Sequence, residues 1–350
     1  MSCRHCTTTP PWPNGRRTLY ISAAHEYILD KIATALSSEG YGCQLAPMQL
    51  CCQLEDFAAL VTTLTALADL TETERRNIHL LPLAPDEALD FGKMAQAKTL
   101  ESWATLLQAR ELVWLLDNGS LTVHFQPIVA VADHSIYAYE CLARGVLADG
   151  SFMAPGPMFT TALKTGLLFN LDRQCRETAI KTAAVKNIHQ NIFVNFLPSS
   201  IYNPEFCLRD TVHWAQQLEF DPGRIVFEVV ETEKVDSLEH LIHILDYYRS
   251  KGFRTALDDI GSGFSSLNLF ARLQPNIIKL DMELVRDVHR SEIKQSIARA
   301  LRAMCRDAGC QILAEGIETR EEYDWFKALG VDLMQGYYFG KPSAEPRRSL

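Results

Sequence analysis

Apolar runs of strand length, each closed by polar residues, recur from residue 123 to the end of the chain. The segments, mostly separated by stretches long enough for a helix, are 123–129, 136–142, 192–196, 225–230, 255–260, 277–280, 311–317 and 333–339. Strands that alternate with helices in this way are typical of a parallel sheet buried on both faces. The pattern therefore predicts an α/β fold for this part of the chain.

A polar side chain lies at or near the carboxyl end of nearly every segment. These residues are Gln126, Glu140, Asn195, Glu228, Asp258 with Asp259, Lys279, Glu315 and Gln335. Polar groups contributed by almost every strand favour the catalytic face of a (β/α)8 barrel. The competing architecture is a doubly wound open sheet, which gathers its ligands at one switch point.

The residues before the barrel predict a smaller domain. Residues 17–23 and 78–83 have the pattern of strands, and 26–37 and 57–70 place apolar residues at helical spacing. With 350 residues, the chain exceeds the ~250 of a typical barrel by about a hundred. The stretch Ser102–Leu116 predicts an amphipathic helix that ends at Asn118-Gly119.

These patterns predict four parts of the chain. The first is a flexible leader, and the second is a small α/β domain with a sensory or regulatory role. A linking helix then leads into a TIM-like barrel. The expected bounds are 1–14, 15–100, 101–118 and 119–346.

Composition and charge narrow the class of protein. The chain is 47% hydrophobic and 22% charged, which is ordinary for a globular fold. The net charge of −9 argues against duplex nucleic acid as a partner, because such binding depends on basic patches. No apolar run reaches the ~18 residues of a membrane span, and the first residues lack the apolar segment of a secretory signal. We expect no membrane partner and a cytoplasmic location.

The 10 cysteines show no spacing pattern, so we expect reduced thiols. Cys3-x-x-Cys6 is half of a zinc or redox motif, and the alternative is an inert leader. Cys51-Cys52 and His25 are available as further ligands, but nothing in the spacing requires them.

Asp258 and Asp259 are adjacent carboxylates at the end of an apolar segment, followed by Ile260-Gly261-Ser262-Gly263-Phe264-Ser265. Burying two like charges is costly unless something offsets them. A pair of divalent cations does so, since one carboxylate can bridge both ions. The alternative is a turn in which one Asp caps the next helix.

Several motifs together resemble one family. They are Glu140-Cys141-Leu142-x-Arg144, Asn195, Phe227-Glu228-x-x-Glu231, the segment from Asp258 to Leu267, Ile278-Lys279-Leu280-Asp281, Ala314-Glu315-Gly316-Ile317-Glu318 and Gln335-Gly336-Tyr337. Over residues 106–345, they resemble the EAL-domain family, which hydrolyses the bacterial second messenger cyclic di-GMP. The resemblance implies a TIM-like barrel whose first strand, Leu121–Ala130, is antiparallel to the others. It also implies a homodimer formed through helices beside the loop that follows Asp259.

The resemblance implies a site with two metal ions. Glu140, Asn195, Glu228 and Asp258 would hold the first ion, and Asp258 would bridge to a second ion held also by Asp259. A set of oxygen ligands selects Mg²⁺ or Mn²⁺.

The catalytic roles fall to two further residues. Lys279 would hold the attacking water or neutralise developing charge. Glu315 is the family-like candidate for the base, although metal-bound water can react without a dedicated one. Glu315 and Gln335 would also orient Lys279 and metal-bound water, and Glu231 belongs to the supporting loop.

Substrate contacts are implied for four residues. The Arg144 guanidinium suits a phosphate because it presents a planar fork of donors. Gln126 and Leu142 resemble positions that meet a guanine and a ribose. Pro198 lines the pocket wall or forms a rigid turn.

The chain departs from the family pattern at two positions. Cys141 replaces an alanine and is small enough to leave Glu140 in place. Val230 replaces a threonine and lacks its hydroxyl.

Taken singly, the site residues also have ordinary structural alternatives. Glu140 can pair with Arg144, Lys279 can pair with Asp281, and Asn195 can cap a strand end.

The resemblance favours a metal-dependent phosphodiesterase that converts cyclic di-GMP to linear pGpG. The alternative is a catalytically weak or silent receptor that binds cyclic di-GMP and signals through the N-terminal domain. Val230 is the one feature that favours the receptor. A purely structural barrel would leave the clustered acidic residues unexplained.

Overall fold

The structure is a computed structural model that describes residues 12–67, 70–229, 238–260 and 266–350. For Asp259, Ile260 and Ser266 it describes the backbone alone. The sequence expectations for Cys3, Cys6, Val230, Glu231 and the loop 261–265 lie outside the described residues. The chain forms two compact units, one containing residues 12–114 and 160–167 and the other 115–159 and 168–350.

The N-terminal unit contains an antiparallel sheet with the strand order β2-β3-β1-β4-β5. The strands are β1 Arg17–Ser22, β2 Cys43–Ala46, β3 Gln49–Leu54, β4 His79–Leu83 and β5 Lys98–Thr99. The helices are α1 Glu26–Ser38, α2 Phe57–Ala66, α3 Glu72–Asn77, α4 Phe91–Met94 and α5 Leu100–Gln108.

Alternation and capping explain these elements. Leu19 and Ile21 of β1 are fully buried, as the period of two requires of a strand that covers a core. Asp56 begins α2 by accepting a hydrogen bond from Ala59 N–H. Thr71 and Glu74 form a capping box at the start of α3.

The sequence prediction of reduced thiols is wrong for one pair in this unit. Cys43 and Cys52 form a disulfide, with Cα atoms 4.3 Å apart. The register of the β2–β3 hairpin places the two residues directly opposite each other, and this hairpin was not among the predicted elements. The other described cysteines, Cys51 among them, are free thiols.

The expected linking helix is divided. Helix α5 ends at Gln108, and α6, Arg110–Asp117, begins after Ala109. The carbonyl of Ala109 still accepts from Val113 N–H, so the break is confined to one residue.

The second unit is a closed barrel of eight strands, and one short additional strand, β8 Phe152–Met153, pairs with β7. The barrel strands are β6 Leu121–Ala130, β7 Ile136–Val146, β9 Asn191–Phe196, β10 Ile225–Val229, β11 Arg254–Ile260, β12 Ile277–Leu280, β13 Gln311–Ala314 and β14 Leu333–Gln335. Strand β6 closes the barrel by pairing antiparallel with both β7 and β14. The other neighbouring barrel strands are parallel. The structure confirms the predicted barrel and its antiparallel first strand.

Helices surround the barrel. They include α7 Pro155–Thr165, α8 Leu168–Val185, α9 Pro204–Cys207, α10 Arg209–Gln217, α11 Leu238–Ser250, α12 Ser266–Leu273, α13 Met282–Val285, α14 Glu292–Ala308 and α15 Arg320–Leu329. Of the helices in the described part of the chain, none combines the length and the apolar character that a membrane crossing needs.

The barrel interior contains two layers. One apolar residue from each strand forms the apolar layer, whose members are Ile128, Ala138, Phe193, Val226, Ala256, Ile277, Leu313 and Leu333. Each residue of the apolar layer is two positions away from a polar residue. The eight polar residues form the polar layer, whose members are Gln126, Glu140, Asn195, Glu228, Asp258, Lys279, Glu315 and Gln335. Side chains two apart point to the same face of a strand, so both layers face inward. The intervening residues, such as Phe227 and Ile278, belong to the core outside the barrel.

Candidate active site

Lys279 is the centre of the polar layer. Its ammonium nitrogen lies 2.8 Å from Glu228 Oε1, 3.1 Å from Asp258 Oδ1 and 2.6 Å from Glu315 Oε1. Strands β10, β11 and β12 are neighbours, which places three of these side chains side by side, and Glu315 follows the end of β13. The arrangement brings together four residues that the sequence predicted to share a site.

The side chains of this cluster are removed from water. Glu228 is 0% exposed and Lys279 is 1% exposed. Burial by itself lowers the pKa of Lys279, but the carboxylates around it outweigh that effect and raise the pKa well above its usual value. Lys279 is therefore an ammonium ion.

Two carboxyl groups of the cluster have raised pKa values. Burial raises the pKa of Glu228 well above its usual range, because Lys279 offsets only part of the lost hydration. Desolvation also raises the pKa of Glu315, to about 8, against the lowering effect of Lys279. One ammonium ion thus does not offset the cost of ionising all the carboxyl groups of this cluster.

Glu140 lies in a second network of the same layer. Its Oε1 accepts a hydrogen bond from Asn195 Nδ2 at 3.1 Å, and its Oε2 accepts one from Gln335 Nε2 at 2.7 Å. Gln335 Nε2 also lies 3.2 Å from Gln126 Oε1. Amide groups on strands β9 and β14 thus fix the position of the Glu140 carboxylate.

Two of the ordinary structural alternatives do not match these contacts. Asp281 accepts a hydrogen bond from Glu283 N–H and begins helix α13, and it is not among the ion-pair partners of Lys279. The carboxylate of Glu140 is bound by amides, whereas the Arg144 guanidinium donates to Ala143 O at 2.7 Å.

The donor set fits divalent cations. Oε2 of Glu228 is buried and accepts no hydrogen bond from the described residues. A buried carboxylate oxygen without a donor is costly, and a cation would satisfy it. Within the described residues, no three His, Cys, Asp or Glu side chains converge in a ready-made metal site. The metal ligands expected from the sequence include Asn195, which is not one of these four residue types. They also include Asp259, whose side chain is not among those that the structure describes.

One of the expected substrate residues, Leu142, lines a cavity beside the polar layer. A cavity of about 210 Å³ is lined by Leu142 of β7, Asn195 of β9 and Leu197, among others. Pro198 is buried at the start of a 3-10 turn, Pro198–Ser200, directly after Leu197. The structure therefore brings Leu142 close to the proposed ligand Asn195. Gln126 belongs to the polar layer itself.

Sequence reasoning missed Asp172 and Arg176, two buried residues of helix α8. Asp172 accepts hydrogen bonds from Leu197 N–H, at 2.9 Å, and from the Ser200 hydroxyl. Arg176 lies 3.2 Å from Asp172 Oδ2. The available signal was an Asp–Arg pair four residues apart on the buried face of a helix. These two residues fix the turn that contains Pro198.

The chain is similar in sequence and in structure to known proteins. The sequence profile of the EAL domain matches residues 106–342. A standalone versatile EAL protein from Vibrio cholerae O395, crystallised in a c-di-GMP-bound form, is 40% identical with a TM-score of 0.58. That match covers 66% of this chain and 94% of the Vibrio chain.

Two further relatives extend the comparison. Probable cyclic di-GMP phosphodiesterase PdeG of Escherichia coli K12 is 29% identical over 233 residues, which is 65% of this chain and 45% of PdeG. The chain thus spans less than half the length of this curated relative. BlrP1 of Klebsiella pneumoniae, solved as a calcium/cy-diGMP complex, is 21% identical with a TM-score of 0.60. That likeness covers 96% of this chain and 98% of BlrP1 and concerns the fold alone.

Proposed function

Since the chain belongs to the EAL-domain family, we propose that it is a phosphodiesterase that hydrolyses cyclic di-GMP to linear pGpG. One observation carries the proposal: Lys279 lies within ion-pair distance of Glu228, Asp258 and Glu315 in the barrel interior. A barrel that only bound a nucleotide would not need a buried cation among carboxylates beside its ligand pocket. The relatives support the substrate, because PdeG has the name of a cyclic di-GMP phosphodiesterase and the Vibrio protein binds c-di-GMP.

We propose two Mg²⁺ or Mn²⁺ ions as cofactors. Glu140, Asn195, Glu228 and Asp258 would hold one, and Asp258 with Asp259 the other. The unpartnered Oε2 of Glu228 supports this assignment. When bound, such ions activate water and neutralise charge on the phosphate.

Lys279 serves as a fixed cation in this proposal. An ammonium group has three N–H donors and no acceptor, so Lys279 would donate hydrogen bonds to the attacking oxygen or to phosphoryl oxygens. Glu315, 2.6 Å from Lys279 Nζ, is the group that can accept a proton. Gln335 contributes by holding Glu140 in position.

The substrate would bind beside this cluster. Arg144 is partly buried and donates to a carbonyl of its own strand, and a phosphate oxygen would replace that acceptor with a charged one. Leu142 and Pro198 would provide the apolar walls for a guanosine, and Gln126 a polar contact at the barrel mouth. We assign these four residues to substrate binding.

A cyclic di-GMP receptor without activity is the second candidate. The observation that favours it is Val230, which lacks the hydroxyl usual in the family. The full chain should be incubated with cyclic di-GMP and Mg²⁺ or Mn²⁺, and the products separated by chromatography. Formation of pGpG that a chelator abolishes supports the enzyme. Tight binding without pGpG, under both metals, supports the receptor.

Two further expectations remain proposals. We propose a homodimer, which light scattering of the full chain would detect as twice the 39.4 kDa of one chain. We also propose a cytoplasmic location, where cyclic di-GMP is made and degraded, and a fluorescent fusion in a bacterial host would test it.

A further inference from the structure

A groove in the N-terminal unit has the size of a ligand site. It encloses about 730 Å³ beside strands β1, β4 and β5. Its lining includes two aromatic residues, Trp12 and Trp103, and the charged residues Arg17, Glu87, Lys93 and Lys98. Pockets that hold small molecules typically measure about 300–1,000 Å³, so a ligand of moderate size would fit.

One cation of the groove already has its partners. The Lys93 ammonium group lies 3.0 Å from Glu87 Oε1 and donates to Ala88 O at 2.8 Å. Glu87 and Lys93 therefore neutralise each other, and the charge of the groove is set by Arg17 and Lys98.

Arg17 and Lys98 differ from Lys93 in this respect. Among the described residues, neither makes an ion pair, and Arg17 Nε is buried without an acceptor. The Lys98 ammonium group lies over the Trp103 ring, 5.6 Å from its centroid. Burial lowers the pKa of Lys98, since no carboxylate compensates the lost hydration. Two partly buried cations without counterions are costly, and an anion in the groove would remove that cost.

The aromatic residues indicate the rest of the ligand. Trp12 and Trp103 meet edge to face with centroids 5.8 Å apart. The Trp103 indole N–H donates to Leu80 O at 3.1 Å, which fixes the orientation of its ring. Trp103 is 6% exposed and also meets Phe57 edge to face at 4.9 Å, so the partly exposed Trp12 provides the apolar surface against which another planar ring can pack.

We propose that the N-terminal unit binds a small planar aromatic anion in this groove, with the anionic group paired to Arg17 and Lys98 and the ring packed against Trp12. Aryl carboxylates and aryl phosphates share this chemistry. The site is separate from the polar layer of the barrel, so its test does not depend on the proposed phosphodiesterase activity.

Isothermal titration of the full chain with 2-naphthoate and 2-naphthyl phosphate tests the site and distinguishes a carboxylate from a phosphate ligand. Quenching of tryptophan fluorescence provides a second readout. The neutral analogue 2-naphthalenemethanol should bind about tenfold more weakly, because it lacks charge-assisted hydrogen bonds. Inorganic phosphate should also bind more weakly, because it lacks the ring. Absence of binding by both aromatic anions, or equal affinity for the neutral analogue, would overturn the proposal.

Variants locate the binding in the groove. Arg17→Met and Lys98→Met should each weaken 2-naphthoate binding about tenfold, and Lys98→Arg should retain it. Lys31→Met is the matched control, because it removes the same charge from a lysine that pairs with Glu74 outside the groove lining. Its affinity should equal that of the unmodified chain. The assignment would be contradicted if Lys31→Met lost as much affinity for 2-naphthoate as Lys98→Met. It would also be contradicted if Lys98→Arg lost as much affinity as Lys98→Met.

Discussion

At the scale of single residues, the charge state of Lys279 decides which step it can serve. Burial lowers its pKa, but four carboxylates, those of Asp258, Glu228, Glu315 and Glu140, raise it by more, so the side chain keeps its proton at neutral pH. A fixed ammonium ion stabilises charge that develops on phosphoryl oxygens, and this charge is greatest in the transition state. The contribution of Lys279 should therefore be found in turnover and not in ground-state binding.

Lys279→Met tests this role. We expect kcat to fall by about a hundredfold or more, while the affinity for cyclic di-GMP in Ca²⁺ changes little. Titration calorimetry measures the affinity, and production of pGpG measures kcat. Lys251→Met, an exposed lysine that packs over Tyr247, is the control and should leave both unchanged. Lost affinity with intact turnover would reverse the assignment.

Glu140→Gln tests the proposed metal site. The amide keeps the size of the side chain but removes the charge that a divalent cation requires. We expect pGpG formation to fall below detection, and chelation followed by Mg²⁺ to restore activity in the unmodified chain only. Glu318→Gln, in an exposed ion pair with Arg286, should retain full activity. Substantial activity in Glu140→Gln would remove Glu140 from the ligand set.

At the scale of elements, helix α8 positions the wall of the proposed substrate pocket. Asp172 holds the 3-10 turn that contains Pro198, and Arg176 compensates the buried charge of Asp172. Removing one partner leaves the other charge buried and unpaired, which costs far more than removing both. The pair is thus a link between the barrel core and the ligand pocket.

Asp172→Asn should lower stability by about 3–5 kcal/mol and raise KM for cyclic di-GMP. The double variant Asp172→Asn with Arg176→Met should recover part of the stability but not of KM, since Asn leaves the turn only one of its two acceptor oxygens. Denaturant unfolding and steady-state kinetics measure the two effects. Asp246→Asn, in an exposed pair with Arg249, serves as control. A double variant less stable than Asp172→Asn would contradict the pairing.

The connection after β14 depends on a close approach of two backbones. Ile317 N–H donates to Gln335 O, and Tyr338 N–H donates to Ile317 O, so the residue between must be small. A Cβ atom at Gly336 would overlap the backbone of Ile317. Gln335, which holds Glu140, is the adjacent residue.

Gly336→Ala should therefore cost about 2 kcal/mol or more of stability and reduce turnover, because the overlap displaces Gln335. Thermal unfolding and pGpG production provide the measurements. Gly156→Ala is the control, since a Cβ atom there meets open space. Equal unfolding midpoints for the two variants would show that the backbones can separate without cost.

The sequence predicted the barrel strands well because each has a long apolar run, yet it placed their ends less well. Glu315 follows strand β13 and is outside it, since pairing with β14 stops at Ala314. The β2–β3 hairpin escaped prediction because Gln44, Gln49 and Gln53 interrupt its apolar residues. Asp172 escaped because a helical period identifies a buried face but not the polar contacts within it.

At the scale of the whole molecule, the chain has two separate apolar cores. One cluster includes Leu19, Phe57 and Trp103 of the N-terminal unit, and another includes Phe227 and Tyr248 of the barrel unit. Units with their own cores often unfold in separate steps. The disulfide belongs to the first unit and the proposed nucleotide site to the second.

We therefore expect calorimetry of the full chain to resolve two transitions. A hundredfold excess of cyclic di-GMP over its Kd, with Ca²⁺, should raise the free energy of unfolding of the barrel unit by roughly 2.7 kcal/mol. Reduction of the Cys43–Cys52 disulfide should lower the free energy of unfolding of the N-terminal unit by about 2.5 kcal/mol, because the disulfide closes a short loop. A single transition that responds to both treatments would contradict independent units.

The two layers of the barrel interior give every strand a fixed parity. In β10, Val226 and Glu228 face inward, whereas Phe227 faces the surrounding helices. Deleting one residue of β10 before Phe227 would exchange the two faces of the strand, since it would turn Glu228 outward and bring Phe227 into the interior. Deleting two residues would restore the parity and shorten the strand by one step. An odd change in length within a regular strand such as β10 would therefore exchange its two faces, whereas an even change would keep them.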